Sequence, residues 1–267
     1  MNCVNYDRYE RLAIAKEGRV LRITLNDPDK HNALTSETQR ELSRIFMDFA
    51  EDDEASVAIV TGKGVAFSAG GDIIRMQEKI DNPSLYSDGI YYGKRIINSM
   101  LDCPKPIICR LNGNAIGLGA TIALFCDFVA ANEEAKIGDP HVRVGLVAGD
   151  GGAIIWPQLV GYMRAKRYLL LGELVTGRDA AEMGLVTTAA PLAELDAIVD
   201  QWTKQLLEGA GKSIGWTKVS INLGLKQIFN SVMDAGLAYE GLANISEDHQ
   251  EAVTAFREKR KPNFTGR

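Results

Sequence analysis

Three side chains in this 267-residue chain have the type and setting for proton transfer. Asp150 stands in Gly149-Asp150-Gly151-Gly152, at the mouth of an apolar helical stretch that runs to Val160. A carboxylate there can cap the helix, a contact worth ~1 kcal/mol, or it can carry a proton. The helix end would pull its pKa down and burial would push it up. His141 follows Gly138-Asp139-Pro140 and is one of three histidines. Its ordinary pKa of about 6.5 suits proton transfer, and a structural histidine bonded beneath a loop is the alternative. Glu240, in the stretch Leu237 to Leu242, falls in an amphipathic helix, where an exposed or interfacial salt bridge is the usual fate of a glutamate. Glycine clusters accompany these residues, at Gly62 to Gly64, Gly70-Gly71, Gly113 to Gly119 and Gly149 to Gly152. Glycine lets backbone approach a ligand closely.

The elements that must position these residues follow from local pattern. Leu12 to Ala15 and Val20 to Leu25 alternate and predict a hairpin. Val57 to Val60, Ile107 to Leu111, Phe128 to Ala131 and Val186-Thr187 predict further short strands. Thr35-Ser36 is a capping signal for a helix from Glu37 to Ala50, with Leu42, Ile45, Phe46 and Phe49 on one face. Leu85 to Leu101 and Ala120 to Phe125 are also helical in pattern, and each glycine cluster adjoins a strand-like run. From Leu192 to about Lys259 the pattern is almost all helical. The chain therefore divides by character into an α/β body over residues 1–190 and a helical portion over residues 191–267. A helical portion of that size covers a site or builds an oligomer interface.

Composition narrows the function. At 46% hydrophobic and 24% charged residues the chain is ordinary globular protein, which excludes a disordered chain, a coiled coil and a collagen-like rod. A net charge of −5 with scattered Lys and Arg disfavours a nucleic-acid partner. No run approaches the ~18 apolar residues of a membrane span, since Ala115 to Ala131 is broken by Gly, Thr and Asp127. Met1 to Gly18 lacks a signal-type apolar segment, and Thr265-Gly266-Arg267 is not a peroxisomal tripeptide. The four cysteines, Cys3, Cys103, Cys109 and Cys126, show no CxxC spacing, so the expectation is a cytoplasmic protein with reduced thiols. No metal-ligand spacing, P-loop or dinucleotide fingerprint is present, and the expected metal is none.

Four segments taken together resemble the crotonase (enoyl-CoA hydratase/isomerase) family: Leu25 to Leu34, Ala66 to Ile73, Asn112 to Asp127, and Phe256 to Phe264. The resemblance spans about Leu12 to Phe264. It implies an α/β fold, the ClpP-like superhelix of ββα turns with a helical C-terminal trimerisation region, assembled as a homotrimer or hexamer. It implies an acyl-CoA thioester substrate, with coenzyme A entering as part of that substrate and no other cofactor. In such enzymes two backbone N–H groups stabilise an enolate oxyanion, and removing one such donor typically costs ~3–4 kcal/mol of barrier. By position these are the N–H groups of Gly71 and Leu118, with a helix starting near Gly119 aimed at the oxyanion. The turn Lys30-His31-Asn32-Ala33-Leu34 resembles the CoA-binding turn, where backbone around Ala33 meets adenine and Lys30 meets phosphate. Ala69, Gly71, Asp72 and Ile73 belong to the same binding surface, with Asp72 supporting the oxyanion loop. Phe256 and Lys259 match the C-terminal nucleotide contact.

The acid/base positions depart from the family pattern. A hydratase of this family carries two glutamates; here those positions are Thr121 and His141. A hydroxyl has no useful basicity near neutral pH. Asp150 lies where double-bond isomerases and dehalogenases of the family place an aspartate. The run Asp139 to Pro157 also resembles the β-diketone hydrolase (6-oxocamphor hydrolase) branch, which pairs such an Asp with a Glu in the C-terminal helix, here Glu240. That branch has a histidine where Leu118 stands and lacks the CoA turn that this chain keeps. Three readings follow: an enoyl-CoA hydratase/isomerase-type enzyme with Asp150, His141 and Glu240 as its acid/base candidates, a retro-Claisen C–C hydrolase, and a catalytically silent acyl-CoA-binding subunit.

Overall fold

The computed structural model describes residues 3–267, with backbone alone at positions 73, 74, 87 and 88. Strands β1 (Leu12–Glu17) and β2 (Val20–Leu25) form the expected hairpin, pairing Leu12 with Leu25. β2 then pairs in parallel with β3 (Val57–Gly62), and the sheet continues through β5 (Ile107–Leu111), β7 (Phe128–Asn132) and β10 (Thr188–Ala190). β3 reads Val-Ala-Ile-Val-Thr-Gly and is buried along its whole length, as a parallel strand covered on both faces must be. The last strand begins one residue beyond the expected Val186-Thr187. The reason is a side-chain substitution: the Val129 N–H donates to Thr187 Oγ1 at 3.0 Å, so the backbone ladder starts only at Thr188.

A second, four-stranded sheet has the order β4 (Ala66–Ser68), β6 (Asn114–Ile116), β8 (Lys136–Gly138), β9 (Val175–Thr176). Its strands are two or three residues long, too short to show an alternating pattern, and the sequence did not predict them. Together the sheets explain the ββα repeat. Each turn sends one strand into the large sheet and the next into the small one. A helix then returns the chain: α2 (Ile73–Asp81) after β4, α4 (Leu118–Leu124) after β6, and α5 (Gly152–Leu171) after β8. α4 starts two residues ahead of the expected Ala120.

The helices that cover this frame bury what the pattern predicts. α1 (Ser36–Glu51) is capped by Thr35, whose side chain accepts from the Thr38 N–H, and Leu42, Ile45, Phe46 and Phe49 are fully buried. α1 packs on α3 (Tyr86–Asp102). Beyond α6 (Gly177–Glu182), α7 (Leu195–Glu208) covers the outer face of the large sheet with Leu195 and Val199. The 34-residue α8 (Gly211–Asn244) places Phe229, Met233 and Leu237 in the main core, and α9 (Glu247–Arg257) packs on α2. No helix among the described residues is long and apolar enough to cross a membrane.

Candidate active site

Parallel neighbours β4, β6 and β8 end side by side, so the three loops that follow them meet. The first loop carries Gly70-Gly71, the second Gly117-Leu118, the third Asp139-Pro140-His141. Contact between the first two is backbone to backbone. Gly70 adopts φ 78°, and a Cβ there would lie 2.4 Å from the Ile116 carbonyl oxygen, so only glycine fits. The second and third loops are tied by the Gly117 N–H donating to Gly138 O at 2.9 Å. Leu118 is the first residue of α4, and its N–H is therefore one of the donors with no partner inside the helix.

Two adjacent spaces open here. The outer cavity, of about 490 Å³, is lined by Lys30, Ala33, Ala69, Gly71, Asp72 and Phe256, among others. The inner chamber, of about 70 Å³, is lined by Leu118, His141, Asp150 and Glu240. Gly71, Met76 and His141 line both. The residues expected at the nucleotide thus face one space and those expected at the chemistry face the other. Two expectations fall elsewhere. Lys259 follows α9 with φ 55° and lines neither space within this chain. The side chain of Ile73 lies outside the described residues. Asn32 holds the turn that carries Lys30 and Ala33. It is buried with φ 56°, its Nδ2 donates to Lys63 O and Ala66 O, and its Oδ1 accepts from the Asp27 N–H at 2.9 Å.

The inner chamber gathers titratable groups. Asp139, almost wholly buried, accepts a hydrogen bond at Oδ1 from His141 Nδ1. His141 Nε2 lies 3.5 Å from Asp150 Oδ2. Thr121 Oγ1 donates to Asp150 Oδ1 at 3.4 Å. Asp150 is therefore not the helix cap that the sequence allowed: Gly151, with φ 123°, is the N-cap residue of α5 and turns the aspartate inward. Glu240 is likewise not an exposed salt-bridge residue. It is 8% exposed, and its Oε2 has no hydrogen-bond partner among the described residues.

Desolvation governs the protonation of this group. Burial raises the Asp150 carboxyl to about 8, against the opposing pull of His141, and Asp139 and Glu240 push it further up. Burial also raises Glu240. For His141 burial works downward but is outweighed by Asp139 and Asp150, and the imidazolium is held well above its ordinary range. Shifts of this kind, in a cleft and from a named charge partner, are the signature of an acid/base site.

The sequence left Asp139, Lys79 and Tyr86 without a role. Asp139 fixes the His141 ring. Lys79 and Tyr86 line the inner chamber from α2 and α3. His249, wholly buried, donates from Nδ1 to the Val144 carbonyl at 2.6 Å and pins the 3₁₀ turn that begins at His141. No motif links these residues, which meet only through the fold. Asp139, His141 and Asp150 also bring ligand-type atoms within 4.8 Å of one another. Among them His141 Nδ1 and Asp139 Oδ1 are bonded to each other.

Comparison with known proteins gives the family. The family model for enoyl-CoA hydratase/isomerase matches residues 15–267. The chain is 32% identical over 253 residues to the short-chain-enoyl-CoA hydratase of Clostridium acetobutylicum, covering 93% of this chain and 95% of that one. It is 30% identical to the 1,2-epoxyphenylacetyl-CoA isomerase of Escherichia coli, covering 94% and 97%. A crystal structure of an enoyl-CoA hydratase/isomerase from Mycobacterium paratuberculosis superposes with a TM-score of 0.87 at 33% identity, covering 93% of this chain and 99% of that one. With the ββα frame, the paired loops and the two adjacent spaces in place, these matches make the chain a member of the enoyl-CoA hydratase/isomerase family of enzymes.

Proposed function

We propose that this enzyme acts on an acyl-CoA thioester, with the nucleotide portion in the outer cavity and the acyl group in the inner chamber. The Gly71 and Leu118 N–H groups polarise the thioester carbonyl, and Asp150 moves the proton. One observation carries the reading. Thr121 and His141, which by the family resemblance stand in for the two glutamates of a hydratase, both lie beside Asp150, at 3.4 Å and 3.5 Å. A single carboxyl entering from the start of α5 stands between the two replaced positions.

In hydration, ionised Asp150 takes a proton from water as its oxygen bonds to the β-carbon. The double-bond electrons shift to the thioester oxygen, and His141 returns a proton to the α-carbon. In isomerisation, Asp150 removes a proton from one carbon and delivers it two carbons away through the same enolate. Both need a group that titrates near the operating pH. The test is loss of enoyl-thioester absorbance on mixing the protein with crotonyl-CoA. Loss with the wild type and a rate at least ~10²-fold lower with Asp150→Asn supports the assignment; equal rates in both refute it.

The contact of Asp139, His141 and Asp150, with Glu240 in the same chamber, favours a second reading, retro-Claisen cleavage of a diketone by water activated at His141. The raised pKa of His141 makes it a weak candidate for that base. Free CoA binding measured by calorimetry separates the two, since the diketone reading requires none. Assembly as a trimer or hexamer is supported by apolar side chains left exposed on α5 and α8, such as Leu170, Trp216 and Ile221, and sedimentation velocity decides it.

A further inference from the structure

The inner chamber is small and its wall is partly polar. Its volume is about 70 Å³, against about 490 Å³ for the outer cavity. Leu146 and Leu237 supply apolar wall, but Lys79, Tyr86 and Glu240 face the same space. Glu240 Oε2 is buried without a hydrogen-bond partner. Lys79 makes no salt bridge among the described residues. Its Nζ stands 5.5 Å from the Tyr86 ring centroid, and 3.6 Å from where a Cβ on Gly89 would lie. The backbone beneath it is fixed, since Asn244 Nδ2 donates to Lys79 O at 3.2 Å. Burial pulls the ammonium below the usual lysine range while Glu240 opposes the shift. A half-buried cation and a buried carboxylate oxygen with no ion pair between them are costly, and a hydrocarbon acyl chain would satisfy neither.

We infer that the chamber is a polar subsite: the acyl group of the substrate carries a second oxygen beyond the thioester, which accepts a hydrogen bond from Lys79 Nζ and, where it is a hydroxyl, donates to Glu240 Oε2. The inference rests on the acyl-thioester reading above and narrows it from acyl-CoA in general to a short, oxygen-bearing acyl group. A keto or hydroxyl oxygen and a carboxylate share this chemistry. The crowding of Asp139, Asp150 and Glu240 against only His141 and Lys79 favours the neutral oxygen.

The experiment measures dissociation constants by calorimetry for butyryl-CoA, acetoacetyl-CoA, 4-hydroxybutyryl-CoA and succinyl-CoA, on the wild type and on Lys79→Met. At least one oxygenated thioester is expected to bind about 10-fold or more tighter than butyryl-CoA, the scale of a hydrogen bond to a charged group. The arm that binds tightest tells keto, hydroxyl and carboxylate apart. Lys79→Met should erase the preference, and an unchanged circular dichroism spectrum and melting midpoint show that the variant is folded. Lys79→Gln, which keeps a neutral donor, should restore part of it. Equal binding of all four thioesters, or a preference that survives Lys79→Met, overturns the inference and leaves the acyl-CoA reading standing. Binding of none overturns both.

Discussion

Replacing Asp150 by Asn should stabilise the protein at alkaline pH while removing its activity. Burial lifts the folded-state pKa of Asp150 from 3.8 to about 8. Between those values the folded protein holds a proton that the unfolded chain has released. Stability contributed by this group is therefore greatest below about pH 4, declines as pH rises from there to about 8, and levels off above it. Holding one proton across one pH unit is worth about 1.4 kcal/mol, so the whole interval from 3.8 to about 8 sets an upper figure of about 6 kcal/mol. Asparagine keeps the volume and the contact with Thr121 but does not titrate. Wild-type and variant melting curves should accordingly diverge as pH rises. The variant should melt higher at pH 9, by about 2–4 °C for every kcal/mol recovered in a chain of this size. The assay is thermal unfolding followed by circular dichroism from pH 5 to pH 9, with turnover measured on the same samples. Parallel curves across that range, or a variant that melts lower at pH 9, would show that Asp150 is not held protonated by burial. Loss of activity with gain of stability is the trade expected of a group kept in place for chemistry.

Further substitutions test the supporting geometry. Asp139→Asn removes the anionic acceptor at His141 Nδ1 and should lower kcat by ~10²–10⁴-fold with little change in KM, as loss of an imidazole-orienting carboxylate does elsewhere; steady-state kinetics decides it, and an unchanged kcat excludes the role. Gly70→Ala forces a Cβ against the Ile116 carbonyl at a φ of 78° and should cost ~2 kcal/mol or more, read as a lowered melting midpoint. Asn32→Ala cuts the bonds to Lys63 O and Ala66 O and should weaken CoA binding by calorimetry at least several-fold with kcat at saturation preserved. Turnover of the wild type should climb with pH towards a plateau above about 8 as Asp150 ionises; a rate that falls over pH 6 to 8 would remove Asp150 as the base.

The elements that the sequence announced are those with strong local signals. The buried run of β3, the capped α1 with its four buried apolar residues, and the glycine loops around Gly70 and Gly117 could all be read from one stretch of chain. The residues that it hid are those whose meaning is relational. Asp139 is an ordinary loop aspartate until His141 turns back onto it. Lys79 and Tyr86 come from two different helices and meet Glu240 from a third. Asp150 looked equally like a helix cap, and only the positive φ of Gly151 sends its side chain inward. Glu240 looked exposed because α8 passes through solvent along much of its length, yet at that turn it crosses Gly149 so closely that a Cβ there would lie 2.9 Å from Glu240 Oε2. The small sheet that aligns the three loops is made of strands too short to carry a pattern, so the convergence of the site had no local signature.

The central claim is that Asp150 moves a proton at the α-carbon of a thioester held by Gly71 and Leu118. Exchange of the α-protons of butyryl-CoA in deuterated water, followed by proton NMR, tests this without presuming hydration or isomerisation. The account predicts exchange catalysed by the wild type and reduced at least ~10²-fold in Asp150→Asn, with butyryl-CoA bound by both. Binding without exchange in the wild type, or exchange that Asp150→Asn leaves intact, would contradict it.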